Sequence, residues 1–468
     1  MRVGAEADVT FTDLLANGQA VGRSGGVVIF CFGPLPRERA RVRVVSAKPK
    51  YMVAEMLELL EPSPDRVNPF CPVFGVCGGC QVQHLSYPGQ LAWKREVVRN
   101  ALGRIGGFVG IDVREPIGMS DPRNYRNKMS LVVEQASASP TIGFYQQRSH
   151  DVVPIDACPI VAPQLSDYIG RLNRARGDPA VLPALLETQH VVARSARATQ
   201  QSVATFTTVG PSAAVERAAT AIAAQLPGTV GIVNSFDLNS ANAIMGRTQR
   251  VVWGEQDIEE FLGGVRFRVS PGSFFQVNVE IVDRIFAFLQ PGLREPRRIV
   301  DLYCGAGTFS LFFANAGSTV TGVEENPQAV IEARANAELN GLESRVAFHA
   351  GRVEELARTP TLHAALGKAE IVFLDPPRKG SEEAALRAVA ASAVPNVWYL
   401  SCDPATLARD LKVLVANGYR LGVVQPFDMF PQTGHVETLV TLYHQTGVLD
   451  TCPNQLTYAT SPNSRASS

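Results

Sequence analysis

Three short motifs place reactive side chains where strands end. Ser401-Cys402-Asp403-Pro404 follows the apolar run Val397–Leu400 and precedes a helical pattern over Ala405–Ala416. A thiol at a helix N-terminus is favoured as the thiolate, its nucleophilic form. Most isolated cysteines are inert packing residues, and the strand-end position sets this one apart. Asp375-Pro376-Pro377-Arg378-Lys379-Gly380 follows the apolar run Ile371–Leu374. Its two prolines stiffen the loop and remove two donors, so Asp375 is expected to project into a cleft; a helix-capping loop is the alternative. His435-Val436-Glu437-Thr438 precedes the last strand, Leu439–Tyr443, and brings Glu437 to the same edge. A lone acid in a loop is otherwise simply solvated.

A fourth motif, Asp301-Leu302-Tyr303-Cys304-Gly305-Ala306-Gly307-Thr308, lies where the strand Arg298–Leu302 meets a helix. Glycines there let backbone approach a ligand beside a helix N-terminus. Ser310 stands where a dinucleotide fingerprint has its third glycine. Glu324, at the end of the next strand, can bind two ribose hydroxyls. The pattern suits a nucleoside cofactor without a pyrophosphate, such as S-adenosylmethionine. The fifth motif is Cys71-x5-Cys77-Gly78-Gly79-Cys80, with Cys158-Pro159 far downstream. Four thiolates can hold a [4Fe–4S] cluster or Zn²⁺, and spacing alone leaves both open. It is not the Cys-x3-Cys-x2-Cys spacing of radical S-adenosylmethionine enzymes.

The elements that must position these groups follow from pattern. From about residue 266, strands and helices alternate, which implies a doubly wound parallel sheet with ligands at the carboxyl ends of its strands. Residues 127–265 read as strand-rich α+β, with strands at Met129–Val133, Thr141–Tyr145, Val152–Ile155, Val203–Val209 and Gly231–Val233 and a helix at Ala213–Gln225. Residues 1–60 read as short strands separated by Asn17-Gly18, Gly25-Gly26 and Gly33-Pro34, a small barrel of OB-like size. Arg39, Arg41 and Arg43 alternate onto one strand face, either a basic RNA-binding surface or a solvated strand. Glu61-Pro62-Ser63-Pro64-Asp65 is a linker, and Leu91 to Ile105 has helical spacing.

At 468 residues, several domains are expected. A hydrophobic fraction of 46% excludes wholesale disorder. No run of 18 uncharged apolar residues occurs, so no membrane span is expected. Met1–Asp8 has no apolar core before its acids, so no signal peptide and a cytoplasmic location are expected. Eight cysteines in such a chain are not a disulfide framework. Lys+Arg 44 against Asp+Glu 44 leaves no net charge, so any polyanion must meet a local patch. Lys94, Arg95, Arg99, Arg104, Arg114, Arg123, Arg126 and Lys128 form one along residues 91–130, or a solvated face.

Taken together, the motifs resemble the RNA uracil-5-methyltransferase family, and within it the members acting on 23S ribosomal RNA. The resemblance runs over about residues 3–446. It rests on the cysteine set and Cys158-Pro159, Tyr125-Arg126-Asn127-Lys128, Phe274-Phe275-Gln276-Val277-Asn278, Asp375–Gly380, Ser401–Pro404 and His435-Val436-Glu437. It implies a multidomain fold. A TRAM-like, OB-like β-barrel takes 1–60, and a central α+β iron–sulfur domain takes 61–82 and 117–265. An α/β Rossmann-like class I methyltransferase domain takes 83–116 and 266–446, and 447–468 form a disordered tail. The resemblance implies Cys402 as nucleophile and Glu437 as base. Gln276, Tyr303, Glu324 and Asp375 fall on positions that contact cofactor or target base. Cys71, Cys77, Cys80 and Cys158 would hold a [4Fe–4S] cluster. A monomer acting on RNA is expected. Thr308 departs from a common Asn, Arg352 from a frequent Asp or Asn, and Leu35-Pro36-Arg37-Glu38 from Pro-Gly-Glu.

The implied chemistry needs these residue types. C5 of uracil is a poor nucleophile. A thiolate adding at C6 creates carbanion character at C5, which then takes a methyl from a sulfonium. A base must remove the C5 proton so that the thiolate is expelled. The target base should be flipped from its stack, with the barrel, Arg126 and Lys128 on phosphates. Transfer-RNA methylation is the alternative within the class, and the four cysteines tilt toward ribosomal RNA. A non-catalytic iron–sulfur RNA-binding protein is the alternative outside it, and the presence of Cys402 and Glu437 speaks against it. A cytosine-5 enzyme would carry Pro-Cys or Thr-Cys in place of Ser401-Cys402.

Overall fold

In a computed structural model, which describes residues 2–135, 139–240, 243–356 and 359–445, the N-terminal strands close into a barrel. The tail expected from 447 lies outside the described residues. The barrel strands are Glu6–Leu14, Gln19–Ser24, Val27–Phe32, Arg39–Ala47 and Tyr51–Glu61. Strand alternation puts Ala40, Val42 and Val44 inside and Arg39, Arg41 and Arg43 outside. The arginine row is not a free basic face. Arg39 meets Asp8 at 3.0 Å and Glu61 at 3.2 Å. Arg41 meets Asp8 and Glu58 at 3.1 Å each, and Arg43 meets Glu6 at 3.0 Å and Glu55 at 3.3 Å. Neighbouring strands thus supply a carboxylate on each side of every arginine. Arg37, where glycine is usual, holds the left-handed φ of 72° that explains the usual glycine.

The central region is a seven-stranded sheet built outward from Thr188–Ser195, which pairs with Ser202–Thr208 on one side and Lys128–Glu134 on the other. Thr188–Ser195 is buried along most of its length, so it lacks the alternation that marks a half-exposed strand. Helices Pro163–Ala175, Leu182–Glu187 and Ala213–Gln225 share a core with one face of the sheet.

The C-terminal sheet has the order Val346–Ala350, Thr319–Glu324, Arg298–Leu302, Ile371–Leu374, Asn396–Ser401, Glu437–His444, Tyr419–Phe427. Its first five strands are parallel. Glu437–His444 runs against Asn396–Ser401, with Thr438 opposite Ser401. An antiparallel strand presents its first residues where its parallel neighbours present their last. Glu437 therefore arrives at the carboxyl edge of the sheet.

The helix Tyr87–Ala101 is capped by Ser86, whose Oγ accepts from Gly89 N at 3.3 Å, and begins with a proline. Its Trp93 enters the barrel core and donates from Nε1 to Leu14 O at 2.8 Å. Val98 enters the core beneath the C-terminal sheet. Lys94, counted above in a basic patch, is instead wholly buried. It donates to Asp428 Oδ1 at 2.5 Å and Phe430 O at 3.0 Å. Other members of that patch are also paired: Arg95 with Glu115, Arg99 with Glu96, and Arg123 with Asp121 at 2.8 Å. Acids thus pair four of the eight cations that the linear sequence groups there. No helix among the described residues is long and apolar enough to cross a membrane.

Removing one partner of a buried ion pair leaves the other charge unpaired and costs about 3–5 kcal/mol. Lys94→Met should therefore lower stability by about that much in urea unfolding followed by tryptophan fluorescence. Lys94→Met combined with Asp428→Leu should regain most of the loss. A single variant as stable as the parent would contradict the pairing.

Candidate active site

The carboxyl ends of the C-terminal strands open onto a cleft of ≈ 870 Å³. Gln276, Tyr303, Glu324, Asp375, Cys402 and Glu437 all line it. One side is built by two turns that face each other. Tyr303, Gly305 and Gly307 all hold positive φ, at 70°, 55° and 87°, and fold the chain sharply after Leu302. Glu324 pins this turn to its own, accepting from Gly305 N at 3.0 Å and from Asn326 N at 2.8 Å. Each carboxylate oxygen keeps a lone pair for a ribose hydroxyl. Tyr303 Oη lies 2.8 Å from Ser381 Oγ, which orients the ring. Thr308 also lines the cleft. Arg352 is instead held on the surface by Glu354 and Glu355.

Asp301, quoted above only as the head of its motif, turns out to belong to the site. Its Oδ2 accepts from Ser310 Oγ at 2.5 Å, and its Oδ1 is buried without a partner among the described residues. Burial pushes this carboxyl up to about 8, against the Ser310 hydrogen bond and with help from Asp375 and Glu324. Ser310 thus occupies the missing third-glycine position for a reason: it holds this acid.

Across the cleft stand the thiol and two more acids. Glu437 is 7% exposed, and its Oε2 has no partner among the described residues. Burial pushes it up to about 7, and Arg378 opposes the shift. Asp375 is pushed well above the ordinary carboxylate range by burial and by Glu437. Two acids this close and this dry favour holding one proton between them. Burial, then Glu437 and Asp375, push the Cys402 thiol up to about 12, with Arg378 opposing. This overturns the expectation of a thiolate stabilised by the helix N-terminus. The reason is local: Asp403 caps that helix, and its Oδ1 takes Ala405 N at 2.9 Å and Thr406 N at 3.0 Å. The donors that could have served a thiolate serve a carboxylate instead.

Arg378 is a cation set against these acids, and His435 Nε2 lies 3.3 Å from its Nη2. Burial and the neighbouring Arg378 hold His435 down at about 4, so it is neutral. Both residues sat inside motifs quoted above, but only the tertiary structure puts them beside Cys402 and Glu437. Gln276 reaches the cleft from a loop whose backbone is fixed by Asn127, which donates to Gln276 O at 3.0 Å. Phe274, on the same loop, lines the cleft while remaining 73% exposed.

Cys71, Cys77, Cys80 and Cys158 line a second cavity of ≈ 720 Å³, which shares Arg378, Phe430 and His435 with the first. The chain between 71 and 80 turns back on itself through Phe74 N to Cys71 O at 3.1 Å and Cys77 N to Val73 O at 2.9 Å. Ser166 Oγ accepts from Cys158 N at 2.9 Å and sets the distant fourth thiol. Among the described residues, no group of three or more His, Cys, Asp or Glu is drawn together as a finished metal-ion site. The donor set itself, four thiols around one cavity without a carboxylate, fits a thiolate-bound metal group.

The model of the tRNA (uracil-5-)-methyltransferase family matches residues 243–445. An uncharacterised RNA methyltransferase of Halalkalibacterium halodurans is 38% identical over 451 residues, covering 93% of this chain and 96% of that protein. One of Gloeobacter violaceus is 38% identical over 452 residues, covering 94% and 96%. Among solved structures, the Pyrococcus abyssi tRNA (uracil-54, C5)-methyltransferase in complex with S-adenosyl-L-homocysteine superimposes with a TM-score of 0.73. It is 26% identical, and the match covers 93% of this chain and 100% of that one.

The buried, acid-flanked thiol has a direct chemical consequence. Cys402 should react with iodoacetamide more slowly at pH 7.5 than an ordinary exposed thiol, because so little is ionised. Its rate should keep rising above pH 9, where a free cysteine has levelled off. Arg378→Gln should slow it further by removing the opposing cation. Peptide mass spectrometry of the Cys402 fragment over a pH series measures this, and a rate that plateaus near neutrality would contradict it.

Proposed function

Since the chain belongs to the RNA uracil-5-methyltransferase family, we propose that it moves a methyl group from S-adenosylmethionine to C5 of a uridine in RNA. The observation that carries this is the meeting of Cys402 and Glu437 in one cleft with Glu324 and Asp375. S-adenosylmethionine, when bound, supplies an electrophilic methyl group. We assign Glu324 to its ribose, and Tyr303, Gln276 and Asp375 to the other contacts with cofactor or target base.

Cys402 Sγ adds to C6 of the uracil. The thiol is neutral at rest, so it must lose its proton as it adds, and the cleft's carboxylates are the acceptors in its field. Arg378 stabilises the negative charge that builds on sulfur. Once C5 carries the methyl group, Glu437 takes the C5 proton. The C–H electrons re-form the C5–C6 double bond, and the C6–S electrons return to Cys402. Glu437 suits this step because burial lifts it to about 7, close to the working pH.

For the RNA, we propose 23S ribosomal RNA on the strength of the four-cysteine set. Transfer RNA is the second reading, supported by the likeness to a tRNA (uracil-54, C5)-methyltransferase over 93% of the chain. Mapping 5-methyluridine in both RNAs from a deletion strain separates them. We further propose that Cys71, Cys77, Cys80 and Cys158 hold a structural [4Fe–4S] cluster. Anaerobically purified protein should be brown with about four irons per chain, as a four-thiolate cluster requires. Stoichiometric zinc without iron overturns that assignment.

Cys402→Ala should abolish methyl transfer and leave cofactor binding intact, as read by calorimetry. Glu437→Gln should still add to C6 and accept the methyl group at C5. It should release product roughly 10²–10⁴ times more slowly, the usual loss on removing a general base. Methyl-labelled RNA should then survive denaturing electrophoresis bound to the protein. In the parent enzyme, release should speed up as pH rises through about 7, because only ionised Glu437 accepts the proton. Free 5-methyluridine at the normal rate from Glu437→Gln, with no trapped band, would remove Glu437 from the mechanism.

A further inference from the structure

Lys94, Arg95, Arg99 and Arg123, cations that look available for RNA in the sequence, are each neutralised by an acid in the fold. Two neighbouring cations on the central sheet carry no such acid partner among the described residues. Lys128 and Arg194 stand directly opposite each other on the paired strands Lys128–Glu134 and Thr188–Ser195, so their side chains leave the same face of the sheet. That face is the one turned away from the helices, since Met129 and Ala193, next along each strand, enter the core on the other side. Lys128 is half-buried, and its side chain has no hydrogen bond or ion pair among the described residues. Arg194 is 2% exposed. Its Nη2 donates to Ser273 O at 2.7 Å, while Nε and Nη1 have no partner among the described residues. Glu332, the acid whose field reaches Arg194, is engaged elsewhere, accepting from Ser270 Oγ at 2.8 Å. Thr205 Oγ1, on the next strand, is likewise buried and unpartnered.

Two like charges side by side on a sheet repel, and burying either without a counter-ion is costly. The arrangement is consistent with an anion arriving from outside the chain. Its place indicates which anion. Arg194 holds Ser273, and Asn127, adjacent to Lys128, holds Gln276 O. Ser273 and Gln276 both line the catalytic cleft. The cationic pair therefore sits behind the loop that forms one wall of the cleft. A base seated in that cleft leaves its sugar–phosphate outside it, where cations beside the cleft wall can meet it. We infer that Lys128 and Arg194 form a binding site for a backbone phosphate of the RNA at or next to the target uridine. Lys128, the more open of the two, makes the direct contact. Arg194 lies beneath the loop, adds its charge from below and ties the loop to the site. Arg126, whose Nε donates to Lys128 O at 3.0 Å, steadies the strand that carries Lys128.

This site rests on the RNA reading above, and the test separates the two. RNA that the parent enzyme methylates is titrated over a salt series with parent, Lys128→Met and Lys128→Arg proteins. The parent should show a linear loss of log affinity with log salt. Lys128→Met should reduce that slope by about 1, the signature of one lost phosphate contact. Its affinity should fall roughly tenfold at low salt, as expected for one charge-assisted hydrogen bond. The fall should be equal for cognate and unrelated RNA, because phosphate contacts carry no sequence information. Lys128→Arg should keep the slope. Cofactor affinity, measured in parallel, should stay unchanged in both variants and reports an intact fold. Should Lys128→Met prove unstable, Lys128→Gln reads the same slope. A parent enzyme that neither binds nor methylates RNA defeats the functional reading. A parent that does both, alongside a Lys128→Met slope equal to its own, defeats the phosphate site alone.

Discussion

Lys94 and Asp428 are 334 residues apart in the chain, both wholly buried, and joined by a 2.5 Å hydrogen bond. Much of the positioning of the site depends on what surrounds that contact. Asp428 begins the loop that leads into the last strand, and each following residue is held by a different part of the molecule. Lys94 also takes Phe430 O. Asn278 takes Met429 O at 3.2 Å, and Tyr125 takes Pro431 O at 3.1 Å. Gln90 and Gln432 bond twice, at 2.9 and 3.0 Å, and Gln432 O accepts from Gln81 N and Val82 N just after the cysteine cluster. Gly434 lies against the barrel so closely that a Cβ there would sit 1.8 Å from Ala16 O. The loop that carries His435 and Glu437 into the cleft is thus the place where barrel, cysteine segment, helix and catalytic sheet meet.

Charge is distributed with a matching logic. Inside the cleft, Asp301, Asp375 and Glu437 are all raised by burial, and Arg378 is the cation that faces them. Burial, Glu437 and Asp375 push the Cys402 thiol up, and a protonated thiol is the less reactive form. Outside the cleft, the arginines of the barrel face are balanced by neighbouring carboxylates, and exposed pairs of that kind contribute little to stability.

The relation between the two cavities follows from the same loop. Arg378, Phe430 and His435 line both. Phe430 and His435 pack edge to face at 5.8 Å. Any group held by the four thiols would be separated from the catalytic cleft by this single layer of side chains. A structural role for such a group would therefore extend to the placement of Arg378, whose charge acts on the Cys402 thiol.

By itself, the sequence determined what local pattern can determine. The β–α alternation after residue 266, the barrel strands and the motifs at the ends of the apolar runs were legible there. Parallel strands must end at a common edge, so motifs at their ends must converge. Asp301 was missed as a cleft acid because its partner, Ser310, looks in the sequence like a failed glycine. What only the tertiary structure decided was the state of each charge. Ionisation depends on neighbours many residues away, and linear spacing does not record them. Lys94 looked like part of an RNA-binding patch until Asp428 buried it. The arginines of the barrel looked basic until two other strands supplied acids. Cys402 looked like a thiolate until Asp403 took the helix donors and two carboxylates closed in. Arg194 carried no motif at all, because its meaning lies in strand register, which places it across from Lys128, and register is set by pairing between segments 66 residues apart in the chain.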